Sequence, residues 1–559
     1  MLSLTLIPIM LMLGAAVDYA RLAVMRSALQ QADDAATLAV AAQMTQTTTQ
    51  GQAQTQAQAF LTSTPRLANA TVTAVSISPD KQTLCVDATI SVTQFFMKIA
   101  NISSLSTTAH SCANLAGGVD PNATYEIALV LDNSGSMSNS TNGQTKLAAL
   151  KTAANSFVDT MFAKAPNKVS FSVVPFAGGV VALDPTVSSN RSLSWIDTQG
   201  KNSQHWVVFG GKTAANAAGF TSRFDIFAKL KQRNSAMDWR GCFEEPPYPK
   251  NINADSFSSS DSESLLVPYL APDEPDSSSY YGNSYLSDDG ANSSKSNATY
   301  SCTDRVTNNQ SATEWTQLTH VCKYQQTASM SGSYGPSAYF GPNQFCPDNA
   351  TQTTLQLSTT QSTIKSKVNQ LVANGNTNLH TGFMWGWRTI GPNPPFSAGR
   401  AYNAQSNHKI MVFMTDGFNN WGAQTRTVVG SDYESLGYYT NNGANNIRLP
   451  DGSGTGGDGT NYQTALAASA NSRNSYLSTS RLAQDDLTLE ACATAKKAGI
   501  EVFTIGFSIP TDPIDTQGLN LLKACATNTD HYFAATDASQ LNAAFSQIGI
   551  GLGKLRLSQ

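Results

Sequence analysis

The 559-residue sequence predicts an α/β fold with a mainly parallel sheet and helices on both faces. An N-terminal membrane helix, a small β-rich unit and a large insert are expected beside it. Two observations favour this architecture. From residue 125 onward, apolar runs of strand length alternate with amphipathic runs of helix length, which is the pattern of βαβ units. Before residue 115, apolar and polar residues alternate singly, as in antiparallel strands.

The N-terminal segment, residues 1–45, is expected to be a helix that starts in a membrane and continues out of it. Residues 2–17 carry no charge, and residues 18–44 contain no helix breaker. The apolar run is slightly shorter than the roughly 20 residues of a spanning helix. A signal-peptide core is the alternative, although no Lys or Arg precedes the run.

A small β-rich unit is expected over residues 46–115. Residues 70–99 alternate apolar and polar side chains and are interrupted at Pro79-Asp80, which indicates at least two strands joined by a turn. A stretch rich in Gly, Pro and Asn follows over 114–124 and reads as a linker.

The alternating pattern defines a domain over residues 122–559. Strands are expected at 125–132, 168–177, 408–417, 500–508 and 530–535, and helices at 146–162, 359–373, 490–499, 518–526 and 538–552. Two stretches interrupt the pattern. Residues 178–355, with four cysteines, predict a disulfide-bound inserted subdomain, for which a partly ordered decoration is the alternative. Residues 420–482, rich in Gly and Asn, form a second insert.

Small polar side chains follow two of the predicted strands. In the stretch DNSGSMS, a carboxylate and two hydroxyls alternate with other residues, and a second carboxylate stands in TDG. Parallel strands present their carboxyl ends at one edge of a sheet, where ligands bind. Two carboxylates and three hydroxyls suit Mg²⁺ or Mn²⁺ and leave one position for an acidic group of a partner. The predicted ligands are Asp132, Ser134, Ser136, Thr377 and Asp416.

Composition and motifs exclude several function classes. The net charge of −4 offers no basic face for nucleic acid. No G-x-x-x-x-G-K-[ST] motif occurs, so no nucleotide is expected as a ligand. Neither G-x-S-x-G nor H-E-x-x-H is present, and the protein is not expected to be an enzyme.

The eight cysteines are expected to form disulfides. None lies in a C-x-x-C pair, their number is even, and their spacing is wide. The preferred pairs are Cys85 with Cys112 and Cys492 with Cys525. Free buried thiols are the alternative, which a cytoplasmic location would favour.

The five predicted ligands resemble a known site. D-x-S-x-S after the first strand, a Thr in a G-x-T-N loop and an Asp in TDG are similar to the metal-ion-dependent adhesion site of von Willebrand factor A (vWA) domains. The resemblance implies a vWA, Rossmann-like fold and binding of Mg²⁺ or Mn²⁺. A vWA fold that has lost its metal is the alternative.

Other segments resemble TadE/TadG-type proteins of the Tad (tight adherence) pilus assembly system. The N-terminal stretch AVDYARLAVMRSALQQADDAATLAVA and insert segments such as WRGCFEEPPYP and GFMWGWRTIGPNPPF carry this resemblance. It implies a single-pass protein of the bacterial inner membrane, held by the N-terminal helix, with most of the chain in the periplasm. Its partners would be pilins or envelope proteins of a Tad-type pilus.

Two functions are therefore open at the level of the sequence. The first is a membrane-anchored vWA protein that assists Tad or Flp pilus assembly or anchoring by binding a partner carboxylate through the metal. The alternative is a secreted adhesin-like subunit that contacts surfaces or host matrix directly.

Overall fold

The computed structural model describes most of the chain. Described residues are 2–44, 48–62, 65–78, 83–114, 123–141, 143–276, 282–288, 314–326, 340–347, 350–420, 427, 432–438, 477–552 and 556–558. Its helices are α1 (Leu2–Gln43), α2 (Gln50–Thr62), α3 (Lys146–Lys164), α4 (Lys212–Ala217), α5 (Arg223–Arg233), α6 (Glu314–Thr319), α7 (Gln361–Asn369), α8 (Leu379–Ile390), α9 (Leu477–Lys497), α10 (Thr516–Cys525) and α11 (Ala538–Gly551). Its strands are β1 (Thr71–Ile77), β2 (Thr83–Thr93), β3 (Ser104–Asn114), β4 (Thr124–Asp132), β5 (Ser140–Thr141), β6 (Gln144–Thr145), β7 (Val169–Phe176), β8 (Phe243–Glu244), β9 (Val267–Pro268), β10 (Leu355–Ser358), β11 (Asn407–Thr415), β12 (Ile500–Phe507), β13 (Tyr532–Ala535) and β14 (Arg556–Ser558).

The chain divides into two compact units. The first comprises Met1–Ala123 together with Ile550–Gln559, and the second comprises Thr124–Gly549. This division differs from the expected one at the C-terminal side, where residues 550–559 were assigned to the second domain. The reason is that β14 pairs with β3 and so joins the sheet of the first unit.

The first unit is an antiparallel sheet covered by helices. Its strand order is β1-β2-β3-β14, with α1 packed against β2 and β3 and α2 packed against β1. Along β2, Leu84, Val86 and Ala88 are buried, whereas Cys85 and Asp87 reach the opposite, partly exposed face. Residues 1–45 and 46–115 therefore fold together, and α2 is a helix that the sequence analysis did not expect.

The N-terminal part of the long helix α1 carries no charge. Residues 2–17 carry no charge, and Asp18 is the first charged residue after them. Its carboxylate accepts hydrogen bonds from the backbone N–H groups of Phe95, Phe96 and Met97. The expected transmembrane helix is not confirmed. In the described part of the chain, no helix contains a stretch that is both long and apolar enough to span a bilayer.

The second unit is built on a six-stranded sheet in the order β10-β7-β4-β11-β12-β13. Five strands run parallel, and the edge strand β10 is antiparallel to β7. Nearly all side chains of β4 and β11 are buried, as expected for central strands covered on both faces. After β4 the chain continues to β7, which lies on one side of β4 in the sheet. After β11 it continues to β12, which lies in the opposite direction along the sheet. The crevice between β4 and β11 is thus a topological switch point, where such sheets bind ligands.

Helix α8 packs against the sheet at very short range. All twelve of its residues are buried, and a Cβ built at Gly386 would lie 2.2 Å from Cγ2 of Val130 on β4. A glycine is therefore required where the helix crosses the strand. This close packing holds α8 against the sheet, directly after the loop that carries Thr377.

The insert over residues 178–355 shares the core of the second unit. Its aromatic side chains pack on α8: the Trp195 and Phe243 rings lie 6.4 and 6.0 Å from the Trp385 ring. Its described part therefore continues the main core and is not a separate subdomain. Most of the second insert, residues 420–482, lies outside the described residues, and its end is the first turn of α9.

A buried ion pair joins the insert to α8. Arg388 Nη1 donates to Glu245 Oε1 at 2.9 Å and Nη2 to Oε2 at 2.6 Å, so the contact is bidentate. Both side chains are almost completely buried. The guanidinium also lies over the Trp385 ring, at 4.7 Å from its centre.

Both preferred disulfides are confirmed. Cys85 is bonded to Cys112 in the first unit, and Cys492 on α9 to Cys525 on α10 in the second. A further disulfide joins Cys242 to Cys346 within the insert. No cysteine in the described residues is free.

Candidate metal centre

The candidate site lies at the carboxyl ends of the two central strands. Leu131 on β4 pairs with Met414 on β11, so Asp132 and Thr415 end their strands side by side. Asp416 follows directly. The Thr415 hydroxyl donates to Asp132 Oδ2 at 2.6 Å, and this bond fixes one oxygen of the Asp132 carboxylate.

A chain of hydrogen bonds links four of the five predicted residues. The backbone N–H of Ser134 donates to Asp132 Oδ1 at 2.8 Å. The Ser134 and Ser136 hydroxyl oxygens are 3.1 Å apart, and the Ser136 hydroxyl donates to Asp416 Oδ1 at 2.9 Å. The structure therefore brings these oxygens together from both strand ends.

Thr377 reaches the same place from the loop before α8. A Cβ built at Gly417, the residue after Asp416, would lie 3.6 Å from the Thr377 hydroxyl oxygen. Backbone bonds hold the loop there: Gly135 N–H donates to Gly375 O, and Asn420 N–H donates to Thr377 O, both at 2.9 Å. All five predicted residues thus lie in one region.

Two further charged residues complete the site, and the sequence analysis missed both. Lys146, the first residue of α3, is buried with its Nζ 2.8 Å from Asp416 Oδ2 and 2.6 Å from Asp512 Oδ2. Asp512 lies in the loop after β12, and Asn139 donates to the same Asp512 oxygen at 2.7 Å. An ammonium group therefore bridges two carboxylates beside the predicted ligands.

The carboxyl groups differ in their acidity. Burial, with the neighbouring charge of Asp416, raises the pKa of Asp132 to about 7. Burial also raises the pKa of Asp416, against the lowering effects of Lys146 and Ser136. Partial burial of Asp512 acts in the same direction, but hydrogen bonds from Lys146 and Asn139 outweigh it and lower its pKa. The two central carboxyl groups consequently retain protons more strongly than exposed ones do.

A second group of metal-ligand types lies in the first unit. Cys85, His110 and Cys112 offer ligand atoms within 4.8 Å of one another. The two sulfur atoms are bonded to each other, however, and a disulfide offers no thiolate to a metal. This group is a disulfide next to a histidine rather than a metal centre in the oxidised protein.

Comparisons with protein families match two parts of the chain. Residues 127–218 match the von Willebrand factor type A domain, and residues 1–43 match the Flp pilus-assembly TadE/G-like family, Tad. The chain therefore combines a Tad-type N-terminal segment with a vWA domain, as the sequence analysis predicted. No curated protein gives a significant match.

Several solved structures of pilus proteins resemble the chain at low similarity. SpaC, a pilus adhesin from Lactobacillus rhamnosus GG, has a TM-score of 0.31 and 12% identity over 87% of this chain and 35% of its own. The vWF domain of the type V pili tip protein Mfa5 from Porphyromonas gingivalis has a TM-score of 0.30 and 11% identity. The match covers 78% of this chain and 98% of the Mfa5 domain. The Streptococcus pneumoniae pilus adhesin RrgA has a TM-score of 0.33 and 10% identity, and the match covers 88% of this chain and 49% of RrgA. This chain thus spans only 35% of the length of SpaC, and TM-scores of this size do not establish a shared function.

Proposed function

We propose that this protein is a non-enzymatic envelope component of a Tad-type (Flp-type) pilus system. Its vWA domain would bind a carboxylate of a pilin or another envelope protein and so assist pilus assembly or anchoring. The contact would pass through a divalent cation held by Asp132, Ser134, Ser136, Thr377 and Asp416. The observation that carries the proposal is the hydrogen-bonded chain of oxygens from Asp132 to Asp416 at the switch point of the sheet.

The chemistry of the oxygens fits Mg²⁺ or Mn²⁺. Carboxylate and hydroxyl oxygens are the ligands that these hard cations take. Burial raises the pKa of both Asp132 and Asp416, so a divalent cation would stabilise the charged carboxylates that burial disfavours. Too few protein oxygens are present to complete six-coordination, which leaves room for water and a partner carboxylate.

An envelope location is supported by the disulfides and by the N-terminal match. Disulfides persist in oxidising compartments, and the described cysteines are all bonded. Within the proposal, the uncharged residues 2–17 contact the inner membrane and the rest of the chain lies in the periplasm.

Substitution of Asp132 tests the proposal. Asp132→Asn keeps the shape of the side chain and an acceptor for Thr415, but removes the charge that a cation needs. We expect the wild type to gain about 2.7 kcal/mol when Mg²⁺ is a hundredfold above its dissociation constant, and the variant to gain almost nothing. Melting in Mg²⁺ and in EDTA measures the difference. Asp159→Asn, at an exposed ion pair with Lys365, is the matched control and should behave as wild type.

Partner capture from envelope extracts completes the test. Wild type in Mg²⁺ should capture a pilin or envelope protein, and both EDTA and Asp132→Asn should abolish the capture. Mg²⁺-dependent binding to host matrix proteins without any envelope partner would favour the adhesin alternative. A wild type that shows no Mg²⁺ or Mn²⁺ shift, or an Asp132→Asn variant that keeps both shift and partner, contradicts the proposed site.

The affinity for Mg²⁺ should depend on pH. The cation replaces the proton of Asp132, whose pKa is about 7, so affinity should weaken by about tenfold per pH unit below that value and level off above it. The metal-free protein should show the opposite trend. Its raised acid pKa contributes stability at low pH, and this contribution is lost as pH rises from about 4 through 7. Melting in EDTA and in Mg²⁺ between about pH 5 and 8 measures both trends, and a larger Mg²⁺ shift at the acid end would contradict them.

A further inference from the structure

The outer face of the first sheet carries two rows of paired side chains on β2 and β3. Cys85 stands directly opposite Cys112, and Asp87 stands directly opposite His110 in the same register. His110 Nδ1 lies 2.6 Å from Asp87 Oδ1, and His110 Nε2 lies 3.2 Å from Cys112 Sγ. A carboxylate, an imidazole and a disulfide sulfur are thus connected in sequence.

This disulfide is the accessible one among those with both cysteines described. Cys85 and Cys112 are partly exposed, and the side chains of His110 and Asp87 are 63% and 46% exposed. By contrast, Cys492 and Cys525 are completely buried. The β1 residues beside Cys85 and Asp87 are Ser76 and Ala74, both small and exposed, so this side of the disulfide is open to a second molecule.

The position of His110 distinguishes the two sulfur atoms. Thiol–disulfide exchange is faster when the departing sulfur is the more stable thiolate, and a neighbouring imidazolium stabilises a thiolate. Of the two cysteines, Cys112 is the one within hydrogen-bond distance of the His110 imidazole. Asp87 accepts a hydrogen bond from Nδ1 and so directs Nε2, the other ring nitrogen, toward Cys112.

We propose that the Cys85–Cys112 disulfide is a thiol–disulfide exchange site for dithiol reductants, in which Cys85 is attacked, Cys112 is the leaving thiol and His110 is the acid. The attacking thiolate must approach in line with the S–S bond, from the side of Cys85 that faces β1. On that side, the β1 residues paired with Cys85 and Asp87 are the small Ser76 and Ala74.

The reaction balances without a further reagent. One thiolate of the dithiol bonds to Cys85 Sγ, and the old S–S bond breaks with its electron pair on Cys112 Sγ, which takes the proton of His110 Nε2. The second thiolate of the dithiol then attacks the first dithiol sulfur, which is bonded to Cys85 Sγ in the mixed disulfide. That bond breaks, and Cys85 leaves as a thiolate and takes a proton from water. The reductant leaves as a disulfide, oxidised by two electrons, and the protein pair is reduced by two.

The contribution of His110 depends on its charge, which several acids influence. Asp87 on β2 contacts the ring, and Asp33 on α1 is close enough to interact with both Asp87 and His110. The side-chain amide of Gln30 on α1 donates both to Asp34, also on α1, and to the backbone oxygen of His110. An imidazole can act as the acid only while it carries its second proton, so the advantage given by His110 should decline as the pH rises.

Timed reduction of the native full-length protein tests the proposal. Dithiothreitol is the probe, EDTA is present to exclude metal capture of thiols, and alkylation with peptide mass spectrometry reports each cysteine pair. Cys85–Cys112 should be reduced at least about tenfold faster than Cys492–Cys525, which serves as an internal control in the same molecule. Equal rates, or earlier reduction of Cys492–Cys525, would overturn the proposal.

Two variants separate the role of His110 from mere exposure. His110→Gln should slow the reduction of Cys85–Cys112 by about tenfold at about pH 6, and the difference should shrink at about pH 9. Thr108→Gln introduces the same side chain two residues away on the same exposed face of β3 and should leave the rate within about twofold. If His110→Gln reacts as fast as Thr108→Gln at both pH values, the assignment of His110 as the acid is wrong.

Discussion

Lys146→Met should cost about 3–5 kcal/mol of unfolding free energy in the absence of divalent cations, because it leaves buried Asp416 and its neighbour Asp512 without their shared ammonium. Methionine retains the apolar stem, and the Thr145 cap of α3 does not depend on the ammonium. Addition of Mg²⁺ should then recover most of the loss, since a divalent cation can neutralise the carboxylates that Lys146 neutralised. Urea unfolding in EDTA and in Mg²⁺ measures both effects.

The same variant should bind Mg²⁺ more tightly than wild type. Lys146 places a positive charge next to a proposed ligand, and its removal eliminates a competitor for Asp416. Lys151→Met removes one ammonium farther along the same helix and should change neither stability nor Mg²⁺ affinity by a comparable amount. Weaker Mg²⁺ binding by Lys146→Met would mean that Lys146 organises the site rather than competing for it.

Arg388→Met should destabilise the second unit by about 3–5 kcal/mol, because buried Glu245 loses its bidentate partner. The effect should extend to the metal centre, since α8 begins two residues after Thr377. Urea unfolding and the Mg²⁺-dependent melting shift measure the two consequences.

The double variant Arg388→Met/Glu245→Gln tests whether the unpaired charge of Glu245 causes the loss. It removes both charges, so most of the lost stability should return. Lys365→Met breaks an exposed pair with Asp159 and should cost less than about 1 kcal/mol. A loss at Arg388 no greater than that at Lys365 would show that the Arg388–Glu245 pair does not hold the insert to α8.

The sequence predicted the frame of the second unit because its signals are local. Apolar runs such as that of β4 end at Asp132, and the β11 run ends just before Asp416, so strand ends could be read directly. Helix α2 was missed because its residues are polar, although its Gln and Ala content favours a helix. The insert was expected to be a disulfide-bound subdomain, and no periodicity could reveal that Trp195 and Phe243 pack on Trp385.

The site was predictable only in part, for a related reason. Asp132, Ser134 and Ser136 share one loop, and motif spacing was enough to select them. Lys146 is the first residue of an amphipathic helix, where a lysine is normally an exposed residue, and only the tertiary structure turns it toward Asp416. The available signal for Asp512 was its position after β12, the next strand of the parallel sheet beside β11.

The pairing of β14 with β3 determines the order in which the protein can be completed during synthesis. Residue 114 emerges from the ribosome long before residue 556, its partner, so the sheet of the first unit lacks its fourth strand while residues 124–549 are translated. During that time, the edge of β3 is available to strands of other chains, which is a route to aggregation. A defect that slows folding of the second unit should therefore also lower the yield of the first.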